Sequence, residues 1–161
     1  MARCSDAFHY ETGFSFFWTL LLVAFLALSV TVGVEIDSTR VQRERERELL
    51  SVGRQFRAAI GRYYETQLPG GRHEYPATLD DLLQDHRSSG VVRHLRKVFV
   101  DPMTGHAEWG LVRMGDRIIG VHSLSDKAPI KQDGFEPEEL GFVNKPKLSD
   151  WVFAYSGKRK E

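Results

Sequence analysis

The residues best suited to chemistry are oxygen donors in one polar stretch. Ser123, Asp126, Asp133 and Glu136 fall between a strand-like run and the next apolar segment. A hard cation such as Ca²⁺ takes roughly 6–8 oxygen ligands, carboxylate and backbone carbonyl together. A solvated polar loop accounts for the same residues. Asp80 and Asp81 are adjacent, but neighbours on a helix point about 100° apart, so they suit the positive start of a helix better than a shared proton. His73, His86, His94, His106 and His122 are scattered without metal-ligand spacing and read as surface or capping residues. There is no G-x-S-x-G, no phosphate-cradling glycine loop and no H-E-x-x-H. The single cysteine, Cys4, excludes an intrachain disulfide. These observations favour a chain that is not an enzyme.

Charge excludes a further class. The 22 basic and 22 acidic residues cancel over 161 positions, so no global field attracts nucleic acid. The average hides a segregation. From Phe14 to Val34 the chain reads FSFFWTLLLVAFLALSVTVGV without a charge, and charges crowd from Glu35 to Glu48. As a helix the apolar run matches a hydrocarbon core of roughly 30 Å. A secretory signal peptide would have a basic start, a run of about 7–15 residues and a small-x-small cleavage site; here the run is longer and no good A-x-A site follows it. The sequence therefore predicts a membrane-spanning helix over 14–35. Arg40, Arg43, Arg45 and Arg47 follow the run and only Arg3 precedes it, which by the positive-inside rule puts the C-terminal part on the cytoplasmic side.

The helix is expected to continue outside the membrane over 36–67. No proline interrupts it, and Leu49, Val52, Phe56, Ile60 and Tyr63 or Tyr64 recur at three- and four-residue steps as one apolar face. Arg43 with Glu46 and Glu44 with Arg47 offer opposite charges on a solvated surface. Gly53 and Gly61 either permit close packing or bend the rod. Leu68-Pro69-Gly70-Gly71 ends the helix. Thr78 is placed to cap a short helix with Asp81 as the reciprocal partner, Leu79, Leu82 and Leu83 facing the long helix. Asp101-Pro102-Met103-Thr104-Gly105 reads as a turn. Glu108–Met114 and Arg117–Ser123, separated by Gly115-Asp116, read as a β-hairpin, and Trp151–Tyr155 as a last strand. The fold class is α+β: a long N-terminal helix, its first half in the membrane, packed on an antiparallel sheet of about three strands, with residues 68–161 as a small head.

Taken together, several residues resemble a type IV pilin-like protein, and most of all the major pseudopilin of type II secretion. They are Gly13-Phe14 followed at once by the apolar run, Tyr75-Pro76-x-Thr78-Leu79-x-x-Leu82-Leu83, and Leu95-Arg96-Lys97-x-x-x-Asp101-Pro102-x-x-Gly105. The resemblance implies a leader, 1–13, that a prepilin peptidase removes between Gly13 and Phe14, with methylation of Phe14. It implies assembly through the apolar helix, with Phe14, Phe17, Trp18, Leu21 and Leu22 as contacts. It also implies other pseudopilin-like subunits and a secretion platform protein as partners, alongside membrane lipid, and no nucleic acid. A calcium ion at Ser123, Asp126 and Asp133 is a further implication. So is a single-pass place in a bacterial inner membrane with the head in the periplasm, opposite to the charge count above. Trp18 stands where that family usually has a glutamate. The alternative is an uncleaved single-pass membrane protein whose periplasmic domain binds a partner or ligand.

Overall fold

The computed structural model describes residues 12–66, 71–87, 90 and 92–157, with no side-chain description for 12–14 and 27–37. Helix α1, Thr12–Glu65, is followed by a single turn of helix, α2, Asp80–Leu83, and by strands β1, Gly110–Met114, β2, Arg117–His122, and β3, Phe153–Ala154. Two 3-10 turns, Pro137–Phe142 and Leu148–Asp150, lie between β2 and β3. Contacts divide the chain into Met1–Val41 and Gln42–Glu161.

The second unit holds the core. Along α1 the face Leu49, Val52, Phe56, Ala59, Ile60 and Tyr63 is buried, as its spacing predicts. It meets Ile118 and Val121 of β2, Phe153 of β3, and Trp109 and Trp151 beside the sheet in one hydrophobic cluster. Aromatic rings supply much of it. Phe56 lies 5.0 Å from Trp109, and Trp151 stacks on Phe142 at 5.5 Å. Each such ring pair adds about 0.5–1.5 kcal/mol beyond its buried area. Leu82 is fully buried, with Leu79 and Leu83 packed against the same cluster.

The sheet is antiparallel, ordered β1-β2-β3. Gly115 supplies the hairpin with φ 65°, a left-handed position that a side chain would resist. Register slips between Val112 and Arg113, leaving Ile119 of β2 as the extra residue of a bulge. On the other side of β2 the Ile119 carbonyl accepts the Tyr155 N–H at 2.9 Å, continuing the β2–β3 pairing past β3.

Gly53 and Gly61 are close-approach positions. A β-carbon on Gly53 would sit 2.5 Å from the Phe153 ring, and one on Gly61 would sit 2.9 Å from the Tyr155 ring. The bare backbone of α1 therefore lets β3 and the residue after it lie flat against the helix.

Several expectations are corrected. Among the described residues no helix is long and apolar enough to cross a membrane. The longest stretch of α1 described with its side chains, 38–65, is rich in charge. The membrane-spanning first half, 14–35, and the single-pass inner-membrane location are set aside on this finding. At α2 the N-cap is Leu79 and Thr78 makes no side-chain cap; only the reciprocal half of the expected box forms, Asp81 accepting the N–H groups of Ala77 and Thr78, both at 2.9 Å. The polar stretch after the hairpin contains the 3-10 turn Pro137–Phe142, and Leu148–Asp150 follows it.

Gly53→Ala separates two opposed effects. Helix propensity alone would stabilise by about 1 kcal/mol, whereas overpacking against Phe153 costs about 1–3 kcal/mol. Chemical denaturation is expected to show net loss of stability. Gly141→Ala, where nothing lies within 4 Å of the added carbon, is expected to stay within about 0.5 kcal/mol of the parent.

Candidate functional site

Two surfaces distinguish themselves, one in each unit. On the first, the described side chains of α1 from 15 to 26 are all exposed. Phe16, Phe17, Trp18, Leu20, Leu21, Leu22, Val23, Phe25 and Leu26 are each at least half exposed, Phe25 at 67 %. A surface of this size and chemistry marks contact with something apolar. Phe17, Trp18, Leu21 and Leu22, expected as assembly contacts, lie within it. Gly13 and Phe14 are helical in backbone, and the leader before Thr12 lies outside the described residues.

The second surface is a groove of about 700 Å³ between α1 and the segment 130–136. Its α1 wall is Arg43, Glu46, Arg47, Leu50 and Arg54, a single helical stripe with steps of three and four. Buried ionic contacts fix both ends. Glu46, 2 % exposed, accepts the N–H groups of Ile130 and Lys131 at 2.8 and 3.0 Å, with Gln42 Nε2 at 3.1 Å. Arg54 forks onto the fully buried Glu139 at 2.6 and 2.9 Å and reaches Glu136 at 2.9 Å. The hydrogen bond to Glu139 raises the Arg54 pKa above its ordinary value. Arg57 binds Glu138 at 3.0 Å. Glu46 is therefore no part of a solvated charge run, and the expected pairs Arg43–Glu46 and Glu44–Arg47 do not form among the described residues.

A third polar cluster was not expected. Asp85, 1 % exposed, accepts three N–H groups of Arg87 at 2.8–3.0 Å, and its Oδ2 lies 3.1 Å from His94 Nε2. The Arg87 guanidinium also lies 3.4 Å above the Tyr63 ring and donates to the Tyr63 carbonyl at 2.8 Å. Hydrogen bonds from Arg87 hold the Asp85 carboxyl well below the usual carboxylate range, against the opposing effect of burial. His94 is thus a buried structural residue rather than a surface one. His73 does cap: its Nδ1 donates to the Tyr64 carbonyl at 2.8 Å near the end of α1, with the ring stacked on Tyr64. Beside it, Tyr155 donates to Glu65 at 2.7 Å, which pushes the phenol up to about 12.

Two of the expected calcium donors have partners within the fold. Ser123 Oγ donates to the buried Asp101 at 2.6 Å, and Asp101 also accepts the Met103 N–H at 2.8 Å, so this pair locks the 101–105 turn to β2. Asp126 accepts Lys147 at 3.1 Å and Ser149 at 3.3 Å, and the Lys147 contact lowers its pKa. Asp133 is exposed on the wall of the groove. Among the described residues no group of three or more His, Cys, Asp or Glu could hold a metal ion.

No family model, curated protein or solved structure matches the chain.

The Asp85 cluster gives a pH-dependent stability with a definite sign. Its folded pKa lies below the unfolded value near 4, so its contribution is complete above that value and is lost as pH falls toward the depressed one. Asp85→Asn is expected to cost about 3–5 kcal/mol at neutral pH by leaving Arg87 buried without its anion. It should also flatten the acid limb of stability. Urea unfolding from pH 7 to pH 3 measures both effects.

Proposed function

We propose that this chain is a pilin-like structural subunit, not an enzyme, that assembles through the apolar N-terminal part of α1. The carrying observation is the row of exposed large apolar side chains from Phe16 to Leu26. Left in water, each such side chain forgoes about 1.5–3 kcal/mol, and contact with like helices of neighbouring copies recovers that energy. The polar clusters of the head support a structural role as well. Asp85, Glu46 and Glu139 are all buried and fully engaged with donors that hold loops in place. The Gly13-Phe14 junction at the edge of the apolar run, with the pseudopilin-like motifs of the head, extends the proposal to a subunit of a secretion or pilus-type machine. In it a prepilin peptidase matures the chain to begin at Phe14.

Phe17→Cys and Leu21→Cys, in a background carrying Cys4→Ser, test the assembly. Oxidative crosslinking in cells is expected to give ladders of several subunits, and Leu21→Asp to abolish them while the head melts at an unchanged temperature. A crosslinked species no larger than a monomer at both positions would sink the reading. Terminal sequencing of the mature chain is expected to start at Phe14. A chain still starting at Met1 beside an active prepilin peptidase would remove the pilin-type maturation.

A further inference from the structure

The groove carries a second inference, independent of the apolar helix. Its charges are unevenly spent. Glu46 is saturated by two backbone N–H groups and Gln42. Glu136 is paired with Arg54. Lys131 donates to the Gly134 carbonyl at 2.9 Å, closing its own turn. Arg43 and Arg47 are different: both are exposed, both line the groove, and neither has a hydrogen bond or ion pair among the described residues. Glu44 and Glu48, their sequence neighbours, do not line the groove, since successive helical residues point about 100° apart.

We propose that this groove binds an acidic peptide segment, with Arg43 and Arg47 each taking one carboxylate. Side chains one helical turn apart lie about 6 Å from one another. Alternate side chains of an extended peptide repeat at about 6.8 Å, so two acidic residues separated by one other residue match the pair. Guanidinium is the group that holds carboxylate through two parallel N–H donors. Residues 130–134 form the opposite wall, and the volume of about 700 Å³ falls in the range of bound-ligand clefts, about 300–1,000 Å³. Asp133 on that wall repels a second anion there and so keeps the peptide carboxylates on the α1 side. The loop is held at both ends by Glu46 and Arg54, so the groove exists before any ligand enters and little ordering cost falls on binding.

The test is fluorescence anisotropy of a labelled tetraglutamate peptide against the full chain at about 20 mM and about 150 mM salt, where screening differs strongly. Binding is expected to be weakened at least about tenfold by the Arg43→Gln/Arg47→Gln double variant and by the higher salt. It should be unchanged by Arg96→Gln, an exposed arginine outside the groove. Both arginines are exposed, so the double variant should melt as the parent does. Equal binding by the parent and the double variant would overturn the proposal, as would equal binding of a neutral peptide of the same length. Inorganic phosphate competing at the peptide's own concentration would make the groove a site for free oxyanions and would also overturn it. Leu21→Asp, which removes the proposed assembly contact, is expected to leave peptide binding intact, so failure of one proposal is distinguishable from failure of the other.

Discussion

The head depends on two buried carboxylates that tie α1 to the β2–β3 connection, Glu46 from the helix and Glu139 from the loop. The connection from β2 to β3 has few ladder hydrogen bonds of its own, yet it must return the chain so that Phe153 can close the core against Gly53. Glu46 and Glu139 supply what the backbone lacks. One gathers the N–H groups of Ile130 and Lys131, and the other locks Arg54 in a two-pronged pair. A buried carboxylate without donors would cost several kcal/mol. Here every oxygen is engaged, so the charges fix where the loop goes at little net penalty. The aromatic cluster of Phe135, Phe142, Trp151 and Phe153 then packs under a loop already held in place.

How much of this is readable from the chain alone depends on the range of the signal. The buried face of α1 is legible because Leu49, Val52, Phe56, Ile60 and Tyr63 obey a period set by the helix itself. The hairpin is legible because Gly115-Asp116 is a local turn between two apolar runs. Glu46 is not. Within the run from Arg43 to Glu48 it has opposite charges at neighbouring helical positions, and its real partners lie 84 and 85 residues away. Local spacing cannot register that distance. His94 escapes for the same reason: nothing near it in the chain announces that Asp85 and Arg87 will close around it.

The oxygen donors after the hairpin show a complementary limit of local reading. Ser123, Asp126 and Asp133 share a polar stretch, and composition invites a common ligand. In the fold each has surroundings of its own. Ser123 secures the buried Asp101, Asp126 meets Lys147 from a later turn, and Asp133 stays at the groove. The 14–35 run misleads in another way. Counting uncharged residues measures a length, whereas among the described residues no helix is long and apolar enough to cross a membrane.

An apolar surface of this kind associates strongly but selects weakly, because hydrophobic contact is non-directional. Coiled coils solve the same problem by placing a polar or charged group at a defined position to set register. The apolar stretch here has no charge to do so, and Trp18 stands where the pilin-like families usually carry one. Register between copies must then come from residues outside that stretch. Arg43 and Arg47 sit on the same helix, make no ion pair among the described residues, and line the groove proposed above to take an acidic segment. If the acidic segment that fills it belongs to a neighbouring subunit, the greasy part of α1 supplies the adhesion and the arginines supply the alignment. In that arrangement raising the salt concentration would scramble the order of an assembly before it dissolved it, since screening weakens the ionic contact and leaves the apolar one untouched.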